Sequence, residues 1–170
     1  MSDDTTVQEE ATGGLKALAG KYLTFALANE EYGIGILKVR EIIGLMEITA
    51  VPQTPNFVKG VINLRGRVIP VLELRTKFGM DTQEYNDRTC IIVVEVNGSS
   101  STIQVGMLVD SVSEVLNILE EELEESPSFG STQMDTDCIL GMGKVKGEVK
   151  ILLDVNQVVG KGLLDQLADM

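Results

Sequence analysis

The chain contains no histidine and no tryptophan. Histidine is the commonest general base, the usual partner of a serine or cysteine nucleophile, and the commonest zinc ligand in proteins. Its absence therefore removes several routes to catalysis at once. We expect no catalytic residue, no metal site and no cofactor, and the alternative left open is a hydrolase that uses carboxylates only, marked by a closely spaced pair of perturbed pKa.

Cysteine is nearly as scarce, since the chain has two, Cys90 and Cys138, both beside aliphatic residues. Two cysteines without histidine make a poor zinc site, and they indicate no secreted disulfide framework. We expect two small apolar core residues in a reducing compartment. Phosphate-binding motifs are missing too, because neither G-x-x-x-x-G-K-[ST] nor a G-x-G-x-x-G after a strand occurs.

Positive charge is in short supply, with 14 basic residues against 26 acidic ones and a net charge of −12. This balance disfavours nucleic acid and anionic membrane surfaces as partners, because both would repel the chain. No run approaches the ~18 consecutive apolar residues of a membrane span, so we expect no membrane insertion. The N-terminus lacks the basic and apolar regions of a signal peptide, which predicts a cytoplasmic protein.

What the chain does have is an internal repeat. Residues 60–75 align without a gap on residues 141–156, and an upstream stretch aligns at an offset of 73 instead of 81. The identical pairs are Gly33 and Gly106, Val39 and Val112, Glu41 and Glu114, Gly60 and Gly141, Gly66 and Gly147, Val68 and Val149, and Leu72 and Leu153. Two ordered blocks indicate two copies of one small unit, and the seam between such copies is a favoured place for partners to bind.

Short β-rich runs separated by closely spaced turns dominate the chain. Arg65 and Gly66 stand between two such runs and predict a hairpin turn, while Pro70 in the second run predicts an edge strand or a bulge. Residues 38–44 fit either a helical turn or a bent strand, and residues 74–78 a short helix. The pattern predicts a mainly all-β fold of small antiparallel barrels with a few short helices, whose two copies share a hydrophobic core.

Two groups of residues are candidates for binding a partner. Residues 36–43 mix apolar and charged side chains, with Val39 and Ile42 as candidate contacts if they are not plain core residues. Arg65 and Arg67 flank a glycine at the predicted hairpin tip and, with Lys59, form a basic patch on an acidic chain. Arginine is well suited to interfaces because its planar fork binds carboxylates and carbonyls, although a solvated turn arginine is the plainer interpretation.

At these residues the chain resembles the CheW family of bacterial chemotaxis coupling proteins, from about residue 21 to 160. The first signature lies in residues 31–42 and the second in residues 55–75. The residues that carry the resemblance are Glu31, Tyr32, Gly33, Ile34, Ile36, Leu37, Lys38, Val39, Glu41 and Ile42, followed by Pro55, Phe57, Lys59, Gly60, Val61, Asn63, Leu64, Arg65, Gly66, Pro70, Leu74 and Arg75. Cys90 departs from the family, which usually has an aliphatic residue there.

The resemblance implies two SH3-like five-stranded β-barrels packed on a shared hydrophobic core. It divides the chain into a flexible N-terminal tail (1–20), a CheW-like domain (21–160) with interleaved or adjacent repeat units at about 21–80 and 88–160, and a C-terminal helical tail (161–170). It implies a non-catalytic scaffold that couples the cytoplasmic tips of methyl-accepting chemoreceptors to the regulatory domain of the histidine kinase CheA. Such a scaffold is cytoplasmic, is recruited to membrane-associated receptor arrays and can join rings with other CheW-like domains.

The resemblance also assigns site residues. The implied receptor-binding residues are Val39, Glu41, Ile42, Arg65, Cys90, Val112 and Val115, and the implied kinase-binding residues are Lys59, Gly60 and Gly66. A receptor helix would lie in a groove at the seam between the barrels, with Val39 and Ile42 as its floor and Arg65 at its rim. We hypothesise that Glu41 orients Arg65 through an ion pair.

Several alternatives remain open. A CheV-type adaptor would need a receiver domain, for which the 170 residues leave no room, and an excised kinase domain fits the apparent start and two-copy plan less well. A related module of a non-flagellar chemosensory system stays an alternative. From a different class, a ligand-binding small β-barrel would need an open lumen, whereas barrels this small fill their interiors with side chains.

Overall fold

A computed structural model describes residues 14–98, 101–125 and 138–168. The helices are α1 (Gly14–Leu18), α2 (Leu74–Lys77), α3 (Val155–Val159) and α4 (Lys161–Ala168). The strands are β1 (Gly20–Leu27), β2 (Glu30–Gly35), β3 (Val39–Gly44), β4 (Val58–Leu64), β5 (Arg67–Glu73), β6 (Cys90–Asn97), β7 (Thr102–Val109), β8 (Ser111–Ile118), β9 (Leu123–Glu124), β10 (Ile139–Val145) and β11 (Glu148–Leu153).

These strands form two sheets that each curl into a small barrel. The terminal barrel has the strand order β8-β1-β2-β11-β10-β9, and the central barrel has the order β3-β6-β7-β5-β4. Each sheet closes because the chain that follows one edge strand pairs with the opposite edge, through a Thr49–Val61 bridge in the central barrel and through β9 in the terminal one. The predicted mainly β architecture of two SH3-like barrels is confirmed.

The barrels are not antiparallel throughout, which corrects that part of the prediction. In each sheet one pair of neighbouring strands is parallel, β5 with β7 in the central barrel and β11 with β2 in the terminal barrel. The reason lies in the connections, because neither pair is joined by a tight turn and each brings together strands from different copies of the repeat. Parallel neighbours require such distant connections.

The repeat reappears as an exchange of strands between the barrels. The first copy supplies β1–β2 to the terminal barrel and β3–β5 to the central one, whereas the second supplies β6–β7 to the central barrel and β8–β11 to the terminal one. The offsets read from the sequence also reproduce the parallel register. The equivalent pairs are Val71 with Gly106 and Leu152 with Gly33.

The largest apolar cluster lies between the two barrels. It contains Leu23 and Phe25 from β1 together with Ile92 and Val94 from β6, and helices α3 and α4 contribute Val155, Val158, Val159, Leu163 and Leu164. Two smaller clusters fill the barrel interiors, one around Ile62 and Ile69 and the other around Ile118 and Leu152. The shared cluster makes the barrels one folding unit, because neither could bury its apolar face by itself.

Pro70 shows where the local prediction was wrong. Strand β5 is an interior strand with β4 on one side and β7 on the other, so it is not an edge. The pairing with β7 begins at Val71, however, so Pro70 occupies the part of β5 that has a neighbour on one side. A proline is tolerated there because its missing N–H breaks no second ladder.

The predicted N-terminal tail falls partly outside the described residues, which begin at Gly14. Leu18 of α1 packs against the interior cluster of the terminal barrel, and the hydroxyl of Tyr22 donates to its carbonyl oxygen at 2.6 Å. Within the described ranges, none of the helices has both the length and the apolar character that a membrane crossing needs.

Candidate functional site

Strand β3, on the edge of the central barrel, carries three of the seven predicted receptor-binding residues, Val39, Glu41 and Ile42. Residues 38–44 were predicted to form either a helical turn or a bent strand. In the structure a 3₁₀ turn at Ile36–Lys38 is followed by β3. A register shift between Val39 and Glu41 leaves Arg40 as the extra residue of a β-bulge. Because of this extra residue, Val39 and Ile42 pair with residues two positions apart on β6 and share one face, while Glu41 lies on the other.

Strand β8 repeats this arrangement on the edge of the terminal barrel. A register shift opposite Thr24 and Phe25 leaves Ser113 as the extra residue, so Val112 and Val115 also share one face. The offset of 73 places Val112 on Val39 and Val115 on Ile42. The two edge strands therefore present equivalent pairs of aliphatic side chains.

These pairs lie on the faces turned toward the cluster between the barrels. Val39, Val112 and Cys90 are half-buried against that cluster, whereas 45% of Ile42 and 50% of Val115 is exposed. Cys90 and Val112 line one shallow pocket, and the thiol of Cys90 interacts with the backbone of Val112. We name these five residues, Val39, Ile42, Cys90, Val112 and Val115, the seam surface.

Burial raises the pKa of the Cys90 thiol, and the hydrogen bond with the Val112 backbone offsets this only in part. At neutral pH the group is therefore a neutral thiol that acts as a small apolar side chain. Cys138 is buried within the shared cluster, where its thiol donates to the carbonyl oxygen of Gln157 at 3.4 Å.

The ion pair predicted between Glu41 and Arg65 is present. One guanidinium nitrogen of Arg65, Nη2, contacts both carboxylate oxygens of Glu41 and lies 2.7 Å from Oε2. The Arg65 side chain remains 71% exposed, so most of its surface is available to a partner. Glu41 reaches Arg65 because it lies on the face of β3 opposite Val39 and Ile42.

Arg65 is the first residue of the two-residue loop that joins β4 to β5. Arg65 and Gly66 have φ of 53° and 89°, the paired positive values of a type I′ hairpin turn. The side chain of Asn63 accepts a hydrogen bond from the Gly66 N–H at 2.8 Å and closes the turn. The terminal barrel repeats this turn, with Lys146 at φ 54° and Gly147 at 81°.

The residues predicted for the kinase side do not form one patch. Lys59 is exposed near the start of β4, where its ammonium lies 5.4 Å from the centre of the Tyr85 ring, and Gly60 beside it is buried. Gly66 lies beyond the far end of the strand, roughly 16 Å or more away at ~3.3 Å per residue. It is therefore a neighbour of Arg65 rather than of Lys59.

Sequence reasoning missed an ion pair between Arg75 and Asp110. The buried guanidinium of Arg75 binds both carboxylate oxygens of Asp110, with Nε 2.8 Å from Oδ1 and Nη2 2.6 Å from Oδ2. Its Nη1 donates to the carbonyl of Asp81 at 2.8 Å, and the Ala28 N–H donates to Asp110 at 2.8 Å. Burial would raise the pKa of Asp110, but these hydrogen bonds and the Arg75 charge together lower it.

A second charged group missed by sequence reasoning is buried in the terminal barrel. Lys150 is 5% exposed and its ammonium lies 3.2 Å from Glu31 and 2.9 Å from Glu148. Burial acts to lower the pKa of Lys150, but its two carboxylate partners raise it overall. The burial of Lys150 could have been predicted from the alignment of the two repeat copies. That alignment places Lys150 on Ile69, a core residue of the central barrel.

Among the described residues, no group of three or more cysteine, aspartate or glutamate side chains is arranged to hold a metal ion. The chemistry offered by the seam surface and the Arg65 hairpin is that of an interface, with aliphatic side chains beside the exposed guanidinium of Arg65.

Comparison with known proteins identifies the family. The model of the CheW-like domain matches residues 21–162. The chain is 38% identical to chemotaxis protein CheW of Klebsiella aerogenes over 87% of this chain and 88% of that protein, and 32% identical to chemotaxis protein CheW of Helicobacter pylori over 91% and 92%. The crystal structure of the scaffolding protein TtCheW from Thermoanaerobacter tengcongensis superposes with a TM-score of 0.74 and 35% identity, covering 85% of this chain and 97% of that one. The chain belongs to the CheW family of chemotaxis proteins.

Proposed function

We propose that this chain is a non-catalytic scaffold that couples the cytoplasmic tips of chemoreceptors to the histidine kinase CheA. The observation that carries the proposal is the seam surface, where two equivalent edge strands present exposed aliphatic side chains at Ile42 and Val115. Its place in a CheW-family fold supports a role in binding a chemotaxis partner. The protein acts in the cytoplasm and is recruited there to membrane-associated receptor arrays.

The receptor is bound as a helix of its cytoplasmic hairpin. Helices dock in grooves through apolar residues spaced three and four apart. The half-buried Val39, Cys90 and Val112 form the floor of such a groove, and the exposed Ile42 and Val115 contact the helix from β3 and β8. Arg65, held by Glu41, binds a carboxylate or the carbonyl end of the helix at one side.

The kinase binds elsewhere on the central barrel. Lys59 is exposed near the start of β4 and carries positive charge on an acidic chain, which suits an acidic patch on the kinase regulatory domain. Gly60 shapes this region by allowing the bulge at the start of β4, and Gly66 shapes the Arg65 turn. A regulatory domain of the same fold permits rings in which such modules alternate.

Binding of a protein partner at the surface fits the described geometry better than binding of a small ligand inside a barrel. Among the described residues, apolar side chains such as Ile62, Ile69, Ile118 and Leu152 fill the barrel interiors, where a bound ligand would need open space. The seam surface consists of aliphatic side chains and a neutral thiol, which suit contact rather than proton transfer.

The proposal is tested by titrating the chain with a receptor cytoplasmic hairpin and with the kinase regulatory domain, both from its own source. Val39→Asp places a charge on the seam surface and Arg65→Ala removes the guanidinium. Each is expected to weaken receptor binding by at least about tenfold, or ~1.4 kcal/mol, and to leave kinase binding unchanged.

Val68→Ser is the matched control, because Val68 is 65% exposed on β5, outside the seam surface. Circular dichroism confirms that each variant is folded. A folded wild-type chain that binds neither ligand contradicts the coupling function.

A further inference from the structure

Within the described residues the chain passes from one barrel to the other at two places. It enters the central barrel between β2 and β3, and it returns to the terminal barrel at Asp110, between β7 and β8. The offset of 73 places Leu37 of the first crossing on Asp110 of the second. The repeat therefore makes the two crossings direct counterparts.

The crossing at Asp110 is held from both barrels. Arg75 approaches from α2, directly after β5 of the central barrel, and donates two hydrogen bonds to the carboxylate. The backbone N–H of Ala28 approaches from the β1–β2 turn of the terminal barrel and donates a third. A bidentate, charge-assisted contact of this kind defines direction as well as distance.

In the part of the chain that the structure describes, the crossing at Leu37 has no such contact. The Leu37 side chain is 93% exposed, and the residue equivalent to Arg75 is Asn156. The amide of Asn156 donates to the carbonyl of Asn97 at 3.3 Å, at an exposed site. One crossing is thus clamped by a partly buried ion pair, whereas Asn156, the equivalent of Arg75, bonds the backbone at the end of β6 instead of the Leu37 crossing.

We propose that Arg75 and Asp110 are positioning residues that hold strand β8 in place, and with it the half of the seam surface that β8 supplies. Asp110 immediately precedes β8 and stands two residues before Val112, which touches Cys90 of the central barrel. When the carboxylate is released, β8 shifts relative to β3 and the seam surface loses its shape. This inference rests on the proposed function, because it assigns the seam surface to the receptor.

Cys90 provides a reporter of this geometry that requires no receptor. Its thiol is half-buried against Val112, whereas Cys138 is buried in the shared cluster. A shift of β8 uncovers Cys90. Its rate of reaction with an aromatic disulfide reagent, followed by mass spectrometry of the Cys90 peptide, therefore measures whether β8 is in place.

The experiment compares the wild-type chain with Asp110→Asn, Arg75→Lys and Tyr85→Phe. Asn keeps the shape of Asp110 without its charge, and Lys keeps the charge of Arg75 without the fork that binds two oxygens. Tyr85→Phe is the matched control, because the Tyr85 hydroxyl bonds Glu73 at 2.6 Å in the same pocket but joins segments of the central barrel only.

In Asp110→Asn we expect Cys90 to react several-fold faster and the receptor hairpin to bind at least about tenfold more weakly. Arg75→Lys is expected to fall between this variant and wild type. Kinase binding is expected to stay within about twofold of wild type, since Lys59 belongs to β4 of the central barrel whereas β8 belongs to the terminal barrel. General loosening of the fold would weaken the binding of both partners. Tyr85→Phe is expected to change none of the three values.

Folded Asp110→Asn and Arg75→Lys chains that keep the wild-type Cys90 rate would overturn the proposal. A faster Cys90 rate with unchanged receptor affinity would overturn it as well, because β8 would then move without consequence for the receptor. If Asp110→Asn does not fold, Arg75→Lys decides by the same criteria. A wild-type chain that binds no receptor contradicts the proposed function instead, and the Cys90 rates then decide whether the ion pair holds β8.

Discussion

Gly60 lies so close to the carbonyl group of Thr49 that an added Cβ would overlap its oxygen and lie 2.7 Å from its carbon. Thr49 cannot retreat easily, because it exchanges two backbone hydrogen bonds with Val61, at 2.9 and 2.8 Å. Gly60 also has φ of 155°, which residues with a side chain rarely adopt. Its presence in the family motif is therefore explained by closure of the central barrel.

Gly60→Ala is expected to lower the free energy of unfolding by about 2–4 kcal/mol, because the clash and the backbone strain add. Urea unfolding measures this loss. Gly66→Asn is the control, since Gly66 has open space around its Cβ position and asparagine accepts positive φ. If the Gly60→Ala chain is mostly folded and still does not bind the kinase, then Gly60 contacts the kinase directly, and barrel closure does not fully explain this glycine.

Arg65 adopts a backbone conformation that asparagine prefers, so the turn trades stability for a guanidinium. Arg65→Asn is expected to keep the stability of the chain or raise it by up to about 1 kcal/mol while weakening receptor binding. Lys146→Asn makes the same change in the equivalent turn of the terminal barrel and should leave receptor binding intact. Thermal unfolding and receptor titration measure the two effects, and equal losses of affinity in both variants would argue against a specific role for Arg65.

Glu41 is expected to act on the receptor through Arg65. Glu41→Gln should reduce receptor affinity several-fold but change stability by less than about 1 kcal/mol, because the pair is exposed. Glu95→Gln, which disrupts the neighbouring ion pair with Arg40, is the matched control and should leave receptor affinity unchanged. The orienting role of Glu41 fails if its variant binds normally while Arg65→Ala abolishes binding.

Ile42 and Leu37 are both exposed aliphatic residues, but only Ile42 belongs to the seam surface. Ile42→Ser is expected to weaken receptor binding by at least about tenfold, because the helix loses an apolar contact, whereas Leu37→Ser should have no effect. Calorimetric titration of both variants measures the difference. Comparable losses in both would show that general surface hydrophobicity, rather than the seam surface, drives the association.

Acid is expected to weaken the fold partly through Asp110. Its folded pKa is lowered, since three hydrogen bonds and the Arg75 charge outweigh burial. The stabilisation is therefore fully present above the ordinary aspartate pKa of about 3.9 and is lost as pH falls through the lower, folded value. Asp110→Asn should reduce the slope of unfolding free energy against pH below about 4, measured by urea unfolding at several pH values. An unchanged slope would mean that other carboxylates control the acid response.

Local turn chemistry could be predicted from single residues. The pair Arg65 and Gly66 indicated a hairpin, and the structure has a two-residue turn there, because β-turns depend on a few adjacent backbone angles. The repeat extended this to distant residues, since its two offsets reproduce the pairing of Val71 with Gly106 and of Leu152 with Gly33. The fold class followed from these regularities, whereas the family followed from the resemblance of residues 31–42 and 55–75 to its two signatures.

The candidate site was predicted in part. Helical spacing would put Val39, Ile42 and Ile43 on one side of residues 38–44, with a bent strand as the alternative. Val39 and Ile42 do share a face, but a β-bulge at Arg40 places them there, and Ile43 lies on the opposite face. Residue spacing cannot distinguish a helix from a bulged strand here. In both, two side chains that are three positions apart lie on the same side. The Glu41–Arg65 pair was anticipated from the family pattern and the hairpin position, and the structure contains it.

By itself the sequence determined the β-rich units, their turns and their duplication, because these depend on periodicity and on local backbone preferences. Only the tertiary structure decided that each copy divides its strands between two barrels, and that Arg75 meets Asp110 across 35 positions of sequence. Such contacts depend on how apolar faces pack in three dimensions. The same local pattern is compatible with many different pairs of distant contacting residues. A rule based on neighbouring residues therefore cannot select the contacts that form in the folded protein.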